Sequence, residues 1–202
     1  MHGIFITGTD TDVGKTHITA WLANHLIRAQ AARSIKLRIG AYKPVCSGSV
    51  INPATGESQW SDVERLWEST GRSYSKGVIC PQTFAAPLAP PVAARLEGKH
   101  VCAKLLRSGL KEWEKLADIL LIEGVGGWLA PLSETETVAD FAAEVEFPVL
   151  VVAAQRLGMI SHTLLTLESI RNRGLNVLGV IVNEVFEATD LSADTNIEEL
   201  QR

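Results

Sequence analysis

Cysteine is scarce in this 202-residue chain, and its placement excludes two classes at once. The three residues, Cys46, Cys80 and Cys102, are an odd number at wide spacings. Such a set builds neither a disulfide framework nor a zinc pattern, and it fits reduced thiols in a cytoplasmic protein. Long apolar runs are missing too. Nowhere do about 18 consecutive apolar residues occur, so no membrane-spanning helix is expected. The chain opens directly into Gly3-Ile4-Phe5-Ile6-Thr7 without a basic-plus-apolar leader, so no secretory signal is expected. A basic excess is absent as well. The formal net charge is −4, which speaks against nucleic acid as a main partner. None of His2, His17, His25, His100 and His162 suggests a zinc site, and all five read as satisfied or solvent-facing histidines.

What remains is the composition of an ordinary globular protein, 46% hydrophobic and 21% charged. Short apolar runs alternate with longer amphipathic ones, the pattern of βα units on a parallel sheet. Strands are expected at Gly3–Thr7, Leu37–Lys43, Ile119–Glu123, Pro148–Ala153 and Asn176–Asn183. Several of these are apolar throughout, as strands are when helices cover both faces of the sheet. Helices are expected at Lys15–Gln30, Asp62–Ser69, Val92–Glu97, Cys102–Lys115, Val138–Glu144 and Met159–Arg173, with Gly174 as a C-terminal cap. The expected fold is therefore α/β, a three-layer sandwich with a mostly parallel sheet, in one domain over residues 1–202. Pro44 to Pro91 is the least regular stretch, too long for a passive connection, and reads as a functional surface.

The first strand runs into Gly8-Thr9-Asp10-Thr11-Asp12-Val13-Gly14-Lys15-Thr16 and then a helix. That is the context of a P-loop, in which backbone N–H groups wrap phosphates and the helix N-terminus adds partial positive charge. Lys15 would reach the β- and γ-phosphates, and the Thr16 hydroxyl would ligate Mg²⁺. The spacing departs from the common G-x-x-x-x-G-K-[ST] pattern, because Thr9 stands where glycine is usual and Gly8 lies one residue earlier. Partition and cell-division ATPases with a related loop carry a lysine five residues before the P-loop lysine. Asp10 occupies that position here, which argues against that group.

A magnesium nucleotide site needs further oxygen ligands. Glu123 ends an apolar strand beside Gly124-Val125-Gly126-Gly127, at the sheet edge where ligands bind in open α/β folds. Asp62 reads equally well as a metal ligand or as a first-turn helix acid. Lys43, followed by Ser47-Gly48-Ser49, reads as a second anion clamp or as a surface lysine at a strand end.

These residues together resemble the dethiobiotin synthetase family. The resemblance runs from Gly3 to Asn183 through four motifs in order. They are the loop Gly8–Thr16, the run Tyr42-Lys43-Pro44-Val45-Cys46-Ser47-Gly48, the run Glu123-Gly124-Val125-Gly126-Gly127-Trp128, and Val182-Asn183. It implies a cytoplasmic homodimeric ligase of the P-loop nucleoside triphosphate hydrolase-like fold, using Mg²⁺ and ATP. Its substrates would be 7,8-diaminononanoate and CO₂, without nucleic acid or membrane partners. One amine becomes a carbamate, the carbamate attacks the γ-phosphate, and the second amine closes a cyclic urea with release of phosphate.

By that resemblance Lys15 and Lys43 are catalytic, Thr11 and Ser47 hold the diamine–carbamate end, and Thr16, Asp62 and Glu123 hold the metal. Asp12, Val13, Gly14, His17, Gly124, Val125 and Gly126 line the nucleotide, with Asn183 and Glu184 at the adenine edge. Gly126 also faces substrate, whose tail carboxylate meets a partner subunit at Met159, Ile160 and Ser161. A free helix start is a fitting carboxylate receptor. Three departures stand out: Ala89-Pro90-Pro91 where some relatives have Ser-Pro-His, Ser161 where some have asparagine, and a helical pattern that reaches Arg202 where the family continues with a strand and a Gly-x-Ile-Pro-like loop. Two other readings compete, a nucleotide-switched ATPase of the partition type and an amide ligase of the same superfamily. The latter expects a glutamine-hydrolysing domain for which 202 residues leave no room.

Overall fold

A computed structural model of the chain describes residues 1–32, 36–185 and 195–202. The chain begins with β1 (His2–Gly8), α1 (Lys15–Ala32) and β2 (Ile39–Tyr42). The stretch read as irregular then carries β3 (Val45–Ser47), β4 (Val50–Ile51), β5 (Ser58–Gln59), α2 (Ser61–Ser69), α3 (Lys76–Ile79), β6 (Gln82–Phe84) and α4 (Pro90–Leu96). Longer elements follow: α5 (Ala103–Leu116), β7 (Ile119–Glu123), α6 (Val138–Val145), β8 (Val149–Ala154), α7 (Met159–Asn172) and β9 (Val177–Asn183). Last comes α8 (Asn196–Gln201).

Five strands form one parallel sheet in the order β2-β7-β1-β8-β9. Alternation along each strand splits its side chains between two apolar layers. Phe5, Leu120, Ile122, Val149 and Val151 pack on one side with Trp113 of α5, Phe141 of α6 and Ile170 of α7. Ile6, Leu121, Leu150 and Val152 pack on the other with Ile18 and Ala23 of α1. Each fully buried Leu, Ile or Val in these layers contributes about 1.5–3 kcal/mol relative to exposure. All six residues of β8 are buried, as expected of a central strand covered on both faces. The three-layer α/β expectation holds.

Local signals set the element ends. Thr137 caps α6 through its hydroxyl while Asp140 reaches back to the Thr137 N–H at 2.8 Å, a reciprocal capping box. Gly174 takes φ +73 after α7, as read from the sequence. The second strand is shorter than expected. It stops at Tyr42, and the Lys43 N–H donates to the Ile79 carbonyl at 2.8 Å instead of to the main sheet. This turn carries Lys43 off the sheet and across its C-terminal edge.

Candidate active site

β1 is central: the chain leaves it for β2 on one side and, after β7, crosses to β8 and β9 on the other, so connections diverge between β1 and β8. The crevice beyond the strand ends at such a point is the usual ligand site of an open α/β sheet. β7 is paired so that Glu123 lies level with Ile6, placing the carboxylate at the root of the Gly8–Thr16 loop. The next residues hold to the same edge: the Gly124 N–H donates to Ile6 O at 2.9 Å and the Trp128 N–H to Gly8 O at 3.1 Å. A cleft of about 750 Å³ opens above them.

The odd glycine spacing has a steric cause. A Cβ on Gly8 would lie 2.7 Å from Val13 Cγ2 and 2.9 Å from Asp10 O, so this position tolerates no side chain while the loop closes around it. Gly14 has φ +92, and a Cβ there would meet Asn183 Nδ2 at 2.1 Å. The amide of Asn183 donates to Val13 O at 2.9 Å, so the end of β9 braces the loop from behind.

The chemistry converges on Lys43. Its Nζ donates to Glu123 Oε1 at 2.5 Å and lies 2.7 Å from Asp62 Oδ2. The Thr16 hydroxyl donates to the same Glu123 oxygen at 2.7 Å. Lys43 is 2% exposed and Glu123 fully buried. Burial works to lower the Lys43 pKa, but the Glu123 and Asp62 carboxylates outweigh it and hold the group well above its ordinary value. Burial would raise Asp62, yet the Lys43 ammonium brings it below the usual carboxylate range. Lys15 is different. Burial, with the nearby Lys43 ammonium second, lowers it to about 8, and its Nζ donates to Asp10 O at 2.9 Å. Burial pushes the neighbouring Cys46 thiol up to about 12, which leaves it a neutral packing group at this edge.

One atom in this cluster points to a cation. Glu123 Oε2 is buried and finds no hydrogen-bond partner among the described residues. An orphaned buried acceptor costs about 1–3 kcal/mol, more when charged. Among the described residues no group of three or more His, Cys, Asp or Glu side chains is placed to hold a metal ion by itself. Two carboxylates and a hydroxyl, with the remaining ligands drawn from phosphate and water, suit a hard divalent cation, and the donor set fits.

Most residues read from the sequence meet in this cleft. Thr11, Asp12, Gly14, Lys15, Thr16 and His17 line one wall. Lys43, Ser47, Asp62 and Glu123 line another, with Val125 and Gly126 at the floor. The Ser47 hydroxyl is already committed, donating to Leu88 O at 2.6 Å. Val13 is buried behind the loop. Gly124 is fixed in the sheet edge, and Glu184 is exposed outside the cleft. Met159, Ile160 and Ser161 do not line this cleft either. The Met159 side chain is 1% exposed, whereas Ile160 is partly exposed and Ser161 exposed at the start of α7.

Sequence reasoning gives no place here to Arg65, Pro87 and Leu88 or to the loop contact of Arg156, while Ala89-Pro90 stands out there only as a departure from some relatives. Arg65, one turn after Asp62 on α2, lines the cleft, and Pro87 to Pro90 form an apolar wall with Leu88 half exposed. The i, i+3 spacing from Asp62 was the available signal for Arg65. Arg156 reaches the P-loop from the β8–α7 turn, with NH2 2.7 Å from Asp10 Oδ2. Nothing in the sequence spacing marks that contact.

Comparison with known proteins agrees in scale. A family described as AAA domain matches residues 2–202. The ATP-dependent dethiobiotin synthetase BioD of Anaeromyxobacter dehalogenans (strain 2CP-1 / ATCC BAA-258) is 42% identical over 202 residues, covering 100% of this chain and 85% of the relative. The ATP-dependent dethiobiotin synthetase BioD 1 of Escherichia coli (strain K12) is 37% identical over 181 residues, covering 90% and 77%. Among solved structures, the MinC:MinD cell division protein complex of Aquifex aeolicus superposes with a TM-score of 0.52 at 13% identity, covering 100% of this chain and 78% of that one. That likeness concerns the fold alone.

Proposed function

The chain belongs to the dethiobiotin synthetase family, and on that footing we propose that it is an ATP-dependent ligase closing the cyclic urea of dethiobiotin from 7,8-diaminononanoate, CO₂ and ATP in biotin biosynthesis. The observation that carries this reading is the convergence of Lys43, Asp62, Glu123 and Thr16 beside the P-loop Lys15, within one cleft.

The chemistry asks mainly for positioning and charge stabilisation. A carbamate formed on one amine places a carboxylate-like oxygen between the Lys15 and Lys43 ammonium groups. That oxygen attacks the γ-phosphorus, and the bond to the β-bridging oxygen breaks to release ADP. The second amine then attacks the activated carbonyl carbon, the carbon–phosphate oxygen bond breaks, and phosphate leaves with the ring closed. Lys43 Nζ serves the developing negative charge from a site that excludes water, where such a contact is worth most. Thr11 at the loop and Ser47 at the end of β3 flank the place for the diamine, and the Pro87–Pro90 wall faces its alkyl chain. Thr16, Asp62 and Glu123 are the residues that would hold Mg²⁺, which when bound neutralises charge on the β- and γ-phosphates. Asn183 keeps its amide oxygen for the adenine edge while its Nδ2 holds Val13.

The same reading makes the enzyme a cytoplasmic homodimer of single-domain subunits. Among the described residues no helix is long and apolar enough to cross a membrane. Leu157, Leu164 and Leu165 at and after the start of α7 are 77%, 50% and 61% exposed. An apolar face of that kind favours a subunit interface next to the substrate's tail. The deciding assay supplies diaminononanoate, bicarbonate and Mg-ATP and follows dethiobiotin by mass spectrometry alongside phosphate release. Folded, ATP-binding protein that forms no ring product would sink the assignment.

A further inference from the structure

The turn between β8 and α7 is fastened to the P-loop at two places. At one end, the Gln155 N–H donates to Asn183 O at 2.8 Å, and Asn183 Nδ2 donates in turn to Val13 O at 2.9 Å. At the other, Arg156 NH2 donates to Asp10 Oδ2 at 2.7 Å. Because Asp10 and Val13 belong to the same loop and Gln155 and Arg156 are consecutive, these contacts close a ring around the back of the phosphate seat.

Asp10 is the busiest member. Its Oδ1 accepts the Thr11 N–H at 2.8 Å, its Oδ2 accepts Arg156, and its backbone carbonyl accepts Lys15 Nζ at 2.9 Å. One residue thus sets the loop backbone beside Thr11, the rest position of the phosphate-binding lysine, and the link to the turn before α7. Arg156 is anchored from behind as well. Its carbonyl accepts the Met159 N–H at 3.1 Å and Asn196 Nδ2 of α8 at 3.3 Å, and Asn196 is 3% exposed.

We propose that Arg156 is a positioning residue for nucleotide binding: through Asp10 it holds the P-loop in the shape that presents Lys15 and the loop N–H groups to the phosphates. Simple stability does not account for the pair. Both side chains are about half exposed, 42% for Arg156 and 50% for Asp10, and an ion pair in that setting adds little to the free energy of folding. A charge-assisted contact between a turn and the loop that cradles phosphate instead limits the loop's freedom, which is what a preformed anion seat requires.

The proposal rests on the nucleotide-binding part of the function above, and its test needs no turnover. Mg-ADP is titrated calorimetrically into the full chain and into Arg156→Ala, Arg156→Lys, Asp10→Asn and the Asp10→Asn/Arg156→Ala double variant, with melting temperatures recorded for all. Arg156→Ala and Asp10→Asn are each expected to weaken Mg-ADP binding about tenfold with melting nearly unchanged. Arg156→Lys should recover most of the affinity. The double variant should be no more than about twofold weaker than the worse single change, since both remove one contact. Unchanged affinity in Arg156→Ala, or losses that multiply in the double variant, would overturn the proposal alone. A parent protein that fails to bind Mg-ADP would overturn the P-loop reading along with it, a failure visible before any variant is compared.

Discussion

Lys43 and Glu123, 80 residues apart in the chain, meet at 2.5 Å in a pocket that leaves both side chains almost wholly buried. A pair so placed is held by its neighbours as much as by its own attraction. Glu123 also accepts the Thr16 hydroxyl, and Lys43 also meets Asp62. Removing one member strands the other in a low-dielectric site.

Lys43→Ala is therefore expected to act twice. Turnover should fall by about 10² or more, because a charge contact to the transferring group is lost. Stability should fall by about 3–5 kcal/mol, because Glu123 is left buried without its cation. Steady-state kinetics and urea denaturation on the same preparation separate the two effects. Parental turnover would mean that Lys43 serves the fold and not the reaction.

Glu123→Gln keeps the shape and removes the charge. Metal affinity should drop by about tenfold or more, since a hard cation loses one of two carboxylates in the set. The variant retains an acceptor for the Thr16 hydroxyl, so α1 should remain in place. Manganese binding followed by electron paramagnetic resonance, in the presence of ADP, reads the change directly. Removing divalent metal from the parent with a chelator should abolish phosphate release, and added magnesium should restore it.

Gly14→Ala tests the brace behind the loop. Its φ of +92 is unfavourable for any side chain, and the new Cβ would sit 2.1 Å from Asn183 Nδ2. Backbone strain of this sort costs about 1–3 kcal/mol before the clash is counted. The expected outcome is weakened Mg-ADP binding with a lowered melting temperature. Adding Asn183→Gly to relieve the clash should recover part of the stability but little of the binding, because the bond to Val13 O is lost too.

Much of this was readable from residue order. The apolar runs Ile119–Glu123 and Pro148–Ala153 marked buried parallel strands, found at Ile119–Glu123 and Val149–Ala154, and Gly14-Lys15-Thr16 after the first strand marked the phosphate seat. Asp62 was not decidable by itself, because an acid in the first turn of a helix has the same sequence signature whether it caps or binds a cation. Lys43, carried off the sheet after Tyr42, meets Asp62 at 2.7 Å, and Thr16 and Lys15 of the loop act on the same carboxylate, which together place it in the site. The pairs β3–β6 and β4–β5 escaped notice for another reason. Strands of two or three residues carry too few alternations to make a period, and the β3–β6 partners lie tens of residues apart. The Arg156–Asp10 contact spans 146 positions and joins two exposed charges, a combination that leaves no pattern in a single sequence.

Lys15 supplies a prediction in pH. Burial, with the Lys43 ammonium second, lowers its pKa to about 8 in the free protein. Bound phosphates favour the charged ammonium, so the pKa in the complex lies higher than in the free protein. The sign follows from linkage: binding takes up a proton once the free form has begun to lose one, so affinity for Mg-ADP is highest below about pH 8 and falls as pH rises through it. Calorimetric titrations between about pH 6.5 and about pH 9.5, repeated in buffers of different ionisation enthalpy, should show proton uptake appearing across that window. Lys15→Met should bind more weakly throughout and lose this dependence. An affinity that stays level from neutral to alkaline pH would show that Lys15 remains charged in the free loop, and that its contact with the Asp10 carbonyl, not burial, governs its protonation.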